Sequence, residues 1–130
     1  MRNRKIYDVM LAKAATGIGN IIDVRDFRNV VVSVATSDNA NCTILCKGSI
    51  GDDAAAFGSA ASVANMWGTL ELATLADSSA PVRGTGIALT GTDILKLYEI
   101  NINGIDFITF DVSVYVAGKV TIKLVVVDNA

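Results

Sequence analysis

The side chains that most often carry out chemistry are scarce in this chain of 130 residues, which has two cysteines and no histidine. Without an imidazole, Ser-His-Asp and Cys-His sites lack their base, and most catalytic zinc sites lack a ligand. Lysine-based and carboxylate-based mechanisms stay open. The composition therefore excludes the commonest hydrolase types.

The two cysteines, Cys42 and Cys46, have the C-x3-C spacing of some redox and metal sites. In an extended segment their side chains share one face but lie about 13 Å apart at ~3.3 Å per residue, too far for a disulfide. They also share the parity of Ile44. We therefore predict two buried, reduced thiols that pack as small hydrophobic groups.

Glu71 and Glu99 are the only glutamates, and a glycosidase can use two carboxylates about 5–10 Å apart. Sugar-cleaving clefts are lined with aromatic residues, however, and these make up only 6% of the chain. Charged side chains on strands are mostly exposed to solvent. We predict no enzyme activity, no catalytic residue, no cofactor, no metal site and no small-molecule ligand. The loop aspartates do not follow the calcium-loop pattern; they are Asp52, Asp53, Asp77 and Asp93.

The positions of these residues depend on β-strands, which the alternation of apolar and polar residues predicts. The clearest case is FITFDVSVYVAGKVTIKLVVV, residues 107–127. Period-two alternation indicates half-buried strands, and Gly118 suits a three-residue hairpin loop. This predicts a hairpin in which Val116 lies opposite Val120, with Val114 pointing inward and Tyr115 outward.

The same alternation predicts strands at 30–35 and 42–50, separated by a turn at 37–41. Asn103-Gly104 is a strong hairpin signal, and a change of phase at Phe107-Ile108 predicts a β-bulge there or a looser turn. Further strands are predicted at 5–11, 20–24, 66–75 and 86–90, with loops at 51–65 and 77–86. The sequence thus predicts an all-β fold: a single-domain antiparallel β-sandwich, jelly-roll-like, with about eight or nine strands over residues 1–130.

The charge distribution argues against nucleic acid as a partner, because the net charge is −2 and the pI is near 4.9. The one basic cluster is Arg2, Arg4 and Lys5, which predicts a short N-terminal arm over about residues 1–5. That arm is either solvated or lies on an acidic neighbour. No signal peptide or membrane-length apolar run is found, so we expect a soluble chain and no membrane contact.

Apolar residues make up 52% of the chain, more than a small core requires. Several lie on the strand face that should meet water, and a contiguous exposed patch usually marks an interface. We therefore expect a homo-oligomer, a dimer or trimer. An end strand covered on both faces by a loop such as 51–65 is the alternative. The apolar residues concerned are Leu45, Leu95, Leu97, Tyr115, Val125 and Val127.

Three stretches of the chain resemble small β-rich structural proteins of tailed-bacteriophage virions. They are IIDVRDFRNVVVSVATSDNANCTILCKGSIGDD (21–53), TGIALTGTD (85–93) and YEININGIDFITFDVSVYVAGKVTIKL (98–124). The resemblance implies a virion location, after synthesis in the cytoplasm of a bacterial host, and a structural role, most simply a capsid decoration or cement protein whose partner is the major capsid protein. A minor head or tail component is also compatible with it.

The alternative function is a tail-associated or carbohydrate-binding module, an adhesin, with loop aromatics as sugar platforms. Its candidate platforms are Tyr7, Phe57, Trp67 and Tyr98. For the decoration protein, the interface is expected to include the basic cluster, the outward apolar residues and two aromatics. These residues are Arg2, Arg4, Lys5, Leu45, Phe57, Trp67, Leu95, Leu97, Tyr115, Val125 and Val127.

Overall fold

The computed structural model describes residues 3–25, 27, 29–50, 67–74 and 86–128. Every regular element in these residues is a strand, and the all-β, single-domain prediction is confirmed. The nine strands are β1 (Asn3–Lys13), β2 (Gly17–Ile18), β3 (Ile22–Asp23), β4 (Asn29–Ser49), β5 (Trp67–Thr69), β6 (Leu72–Thr74), β7 (Ile87–Gly91), β8 (Leu95–Asn101) and β9 (Phe107–Asp128).

Two long strands, β4 with 21 residues and β9 with 22, organise the sheet. They pair antiparallel from Asn29 opposite Val127 to Ser49 opposite Phe107. The main strand order is β1-β9-β4-β8-β6, with β2 and β3 also on β9, and β5 and β7 also on β4. All nine strands therefore belong to one hydrogen-bonded antiparallel sheet, where the sequence led us to expect a sandwich.

The core forms because even-numbered residues of β4 and of most of β9 point to the same face. Val32 and Leu124 lie opposite each other in one half of the sheet, and Cys46 and Phe110 do so in the other. All four belong to a single cluster of buried side chains. This indicates that the sheet bends so that its two halves share one core. A single sheet therefore covers the core from two sides, as two layers would.

The bend lies where β4 and β9 change register, between Ser37 and Asn41. Asp38 and Asn39 have φ of 56° and 53°, and Gly118 on β9 has φ of 80°. These are the residues that the sequence placed in a turn at 37–41 and a hairpin loop at 117–119. Both predictions were wrong, because the backbone there turns without ending the ladder, and each long strand continues through the bend.

The Asn103-Gly104 turn is present, but it does not close a hairpin. The Ile105 amide donates to the Ile102 carbonyl at 2.9 Å, and Gly104 has φ of 81°. The strands on either side, β8 and β9, both pair with β4 and not with each other. The predicted bulge at Phe107-Ile108 is also absent, because Phe107 and Ile108 stay in regular register with β4.

Candidate functional site

The two cysteines are buried and reduced, as predicted. Cys42 and Cys46 point into the core on the same side of β4 as Ile44. Burial away from water raises the pKa of both thiols, and that of Cys46 strongly. Because the thiolate is the reactive form of cysteine, these residues act as packing groups and not as nucleophiles or ligands.

The two glutamates lie at the β6–β8 end of the sheet. Glu71 and Glu99 are both exposed, Glu71 between β5 and β6 and Glu99 opposite Ala73 in the β6–β8 pair. Within the described residues, no group of three or more metal-ligating side chains comes together. Asp52, Asp53 and Asp77 lie outside those residues, and Asp93 is exposed in the bend before β8.

An open cleft of about 500 Å³ lies beside the end of β1. Its walls come from residues 9–11, 13–15 and 18–20, and Lys13 is the single charged side chain among them. The paired acids of a glycosidase are therefore missing from this cleft. In the part of the chain that the structure describes, no helix has the length and apolar character to span a bilayer.

The aromatic residues considered as sugar platforms do not form an exposed surface where the structure describes them. Tyr98 is 3% exposed and belongs to the core. Tyr7 is half-buried and packs against that core. Phe57 and the side chain of Trp67 lie outside the described residues.

The basic segment at the start of the chain is not a free arm where it is described. β1 begins at Asn3, and Arg4 and Lys5 lie opposite Val127 and Val126 of β9. The segment pairs with β9 where an arm was predicted, because the apolar residues Ile6 and Tyr7 extend the apolar surface of that strand. Arg4 and Lys5 are exposed, and Arg2 lies outside the described residues.

Tyr115 points inward, contrary to the prediction, because β9 contains a bulge. Val112 lies opposite Ile44 and Val114 opposite the adjacent Thr43, so Ser113 is an extra residue on β9. An extra residue reverses the faces of those that follow. Val114 is consequently 53% exposed, while Tyr115 packs against the core and its hydroxyl donates to the Gly118 carbonyl at 3.0 Å.

An apolar surface does form on the outer face of the half-sheet made by β1, β9, β4 and β8. Ile6, Val125 and Val31 lie side by side across three strands. Leu97 lies diagonally from Val31, opposite Ser33, and Leu95 follows it on β8. We call this surface the outer apolar patch; its residues are Ile6, Val31, Leu95, Leu97, Val125 and Val127.

Four of the predicted interface residues are in the outer apolar patch, and two it contains were missed. Leu95 is 64% exposed and Leu97 38%, while Val125 and Val127 are half-buried by their neighbours. Ile6, 52% exposed, was missed although it lies within the strand predicted at 5–11. Val31 was missed although its odd parity in an alternating strand already placed it outward. Leu45 is apart from the patch, on the other half-sheet, opposite Asp111.

Charged side chains border the outer apolar patch. Asp8 and Lys123 form an ion pair of 3.5 Å between β1 and β9. Arg4 lies beside Val127, and Glu99 lies beside Val31. An apolar centre with a charged rim is the usual arrangement of a protein interaction surface.

The fold and this surface define a class: a small antiparallel β domain with an exposed apolar sheet face. No protein family matches the chain, and no curated protein sequence matches it. The fold is similar to that of the SPBc2 prophage-derived protein YomS, with a TM-score of 0.71 and 20% identity over 98% of this chain and 96% of that one.

The fold is also similar to part of the PBSX exported protein XepA. The TM-score is 0.72, with 12% identity over 98% of this chain, which spans 38% of the XepA chain. At these identities the likeness shows a shared fold.

Proposed function

We propose that the chain is a structural protein of a tailed-bacteriophage virion, and that it decorates the capsid by docking its outer apolar patch on the major capsid protein. The observation that carries the proposal is the patch itself. Leu95 and Leu97 keep 64% and 38% of their surface exposed on a regular sheet face, where polar residues would cost the fold nothing.

The fold likeness supports the phage part of the proposal. YomS, whose chain is matched over 96% of its length, is a prophage-derived protein. That likeness and the sequence resemblance to virion proteins point in the same direction. Neither concerns a catalytic residue, which agrees with a structural role.

The shape of the surface suits decoration of a shell. Sheet faces are rigid, so the patch can be covered without first ordering a loop, and little conformational entropy is lost on docking. Copies bound to the repeated subunits of a shell cover many joints at once. Each contact can then be modest while the shell as a whole gains stability.

Thermal rupture of heads tests this proposal. Purified heads of the phage that carries the gene, stripped of this protein or assembled without it, are heated with a DNA-binding dye that reports genome release. Adding the purified chain is expected to raise the rupture temperature in a saturable way. An unchanged rupture temperature with full occupancy of the heads would reject the cement role, and no binding to heads would reject decoration altogether.

A further inference from the structure

The outer edge of β1 is an open strand edge. β1 is at the end of the strand order, so among the described residues it has a neighbour on one side only, β9. From Asn3 to Asp8 it pairs with β9 without a register shift, and the irregularities begin after Asp8. A regular edge strand presents unpaired backbone groups that can accept another strand.

This open edge ends at Asp8. The Asn20 side-chain amide donates to the Asp8 carbonyl at 3.0 Å, and the Asn20 backbone amide donates to the Val9 carbonyl at 2.8 Å. The segment carrying Asn20 thus covers β1 from this point onward. An incoming strand has residues 3–7 available, which is about the length of an ordinary strand, and Asp8 is the last residue beside which it can lie.

We propose that two copies of the chain pair through this edge, antiparallel, with Ile6 opposite Ile6 of the second copy. In this register Arg4 of each copy lies opposite Asp8 of the other, on the outer face. Lys5 lies opposite Tyr7 on the inner face. Opposite charges placed across two strands are stabilising, and so are two apolar side chains.

The charges select this register over its neighbours. Directly opposed residues in an antiparallel pair point to the same face, so a two-fold pairing must be centred on a single residue. Centring it on Arg4 or on Lys5 puts two like charges face to face, which is destabilising. Centring it on Tyr7 places Asp8 opposite Ile6 and Lys5 opposite Val9, so no pair of opposite charges forms. Only the register centred on Ile6 sets Arg4 against Asp8, a pair of opposite charges.

The pairing would also enlarge the docking surface. Ile6 belongs to the outer apolar patch and is 52% exposed in a single copy. Two such residues side by side on the outer face join the patches of the two copies across the axis. Asp8, already paired with Lys123 of its own chain at 3.5 Å, would stand between two cations. The pairing does not depend on capsid docking and is tested without a capsid.

Charge-reversed variants test the pairing directly. In a homodimer of Arg4→Asp, both pairs between positions 4 and 8 consist of two aspartates. In a homodimer of Asp8→Arg, both pairs consist of two arginines. Each variant alone is expected to run as a folded monomer, half the mass of the wild-type dimer. Mixed in equal amounts, they form a heterodimer in which both charge pairs are opposite again. Glu99→Arg, an exposed reversal on the same face but on β8, serves as the control and stays dimeric.

The mass is measured by size exclusion with light scattering, and circular dichroism confirms that every variant keeps its sheet. Twice the chain mass of 13.6 kDa for the wild type and for the mixture is the expected result. A wild type that stays monomeric at the highest attainable concentration overturns the proposal. So does a trimer or larger ring, a mixture that stays monomeric, or a dimer that both single reversals leave intact.

Discussion

Gly118 of β9 lies directly against Ala40 of β4 at the bend of the sheet. A Cβ atom on Gly118 would be 2.3 Å from the Ala40 Cα and 2.9 Å from the Ser37 carbonyl oxygen. The two long strands are thus in backbone contact where they turn, and a side chain cannot fit between them. Around this contact, Lys119 pairs with Asp38 at 3.1 Å, and Asn39 and Thr92 exchange two hydrogen bonds of 2.9 Å.

We therefore expect a substitution of Gly118 to destabilise the protein more than the same substitution of Gly104, another glycine with a left-handed backbone conformation. Gly118→Ala adds both a strained φ and an overlap with backbone atoms. Gly104→Ala, at nearly the same φ of 81° and with open space around its Cβ position, adds only the strain.

We predict a loss of about 1–2 kcal/mol of unfolding free energy for Gly104→Ala. For Gly118→Ala we predict about 1–3 kcal/mol more, the cost of overpacking. Urea denaturation of the two variants measures the difference. Equal losses would show that the strands separate at the bend at no cost, and that the tight contact is not a constraint on the fold.

The buried thiols predict slow chemistry at both cysteines. Burial raises the pKa of the Cys42 and Cys46 thiols, so little thiolate is present at pH 8. In the native protein, the rate of reaction with a disulfide reagent should be limited by the opening of the fold that exposes the thiols. In denaturant, both thiols should react immediately. Val116→Cys, placed at a residue that is 64% exposed, gives a fast-reacting control. Fast labelling of both native thiols would contradict their burial.

The Asp23 carboxylate should titrate below its ordinary range. The Arg25 guanidinium donates to both of its oxygens, at 3.0 and 2.6 Å, and these bonds hold its pKa down. Because the pKa is lowered in the folded state, the pair stabilises the protein above the pKa of the unfolded chain, and that stability is lost as the pH falls through the folded value.

Both side chains are about half exposed, so the contribution should stay under about 1 kcal/mol. In Arg25→Gln the pKa of Asp23 should rise towards 3.8, the ordinary value. Carbon-detected NMR titration follows the carboxyl group in both proteins. The same Asp23 pKa with and without Arg25 would mean that the ion pair does not form in solution.

The sequence was enough to predict the fold class, because alternation alone marks most strands. Residues 5–11 and 86–90 were predicted as strands, and β1 and β7 lie there. The inward parity of Cys42 and Cys46 was also correct, since β4 keeps its phase across the bend. Each of these features is determined by a few residues that are neighbours in the sequence, so a local pattern is enough to predict it.

The features that were missed depend on contacts between distant residues. Gly118 indicates a change of backbone direction, but whether the chain reverses into a hairpin or bends is decided by Ala40, 78 positions earlier in the chain. The bulge at Ser113 likewise exists only relative to Thr43 and Ile44 on β4. The bulge turns Val114 outward and Tyr115 inward, the reverse of the prediction. Tyr115 was therefore wrongly included in the predicted interface.

The most direct test of the account is binding to phage heads by two matched double variants. Leu95→Lys with Leu97→Lys places charge in the outer apolar patch. Val114→Lys with Val116→Lys changes two residues of similar exposure, 53% and 64%, on the other half of the sheet. Cosedimentation with heads lacking the native protein should show wild-type binding for the Val114 and Val116 variant and none for the Leu95 and Leu97 variant. Equal binding by both, with both folded, would contradict the claim that the outer apolar patch is the docking surface.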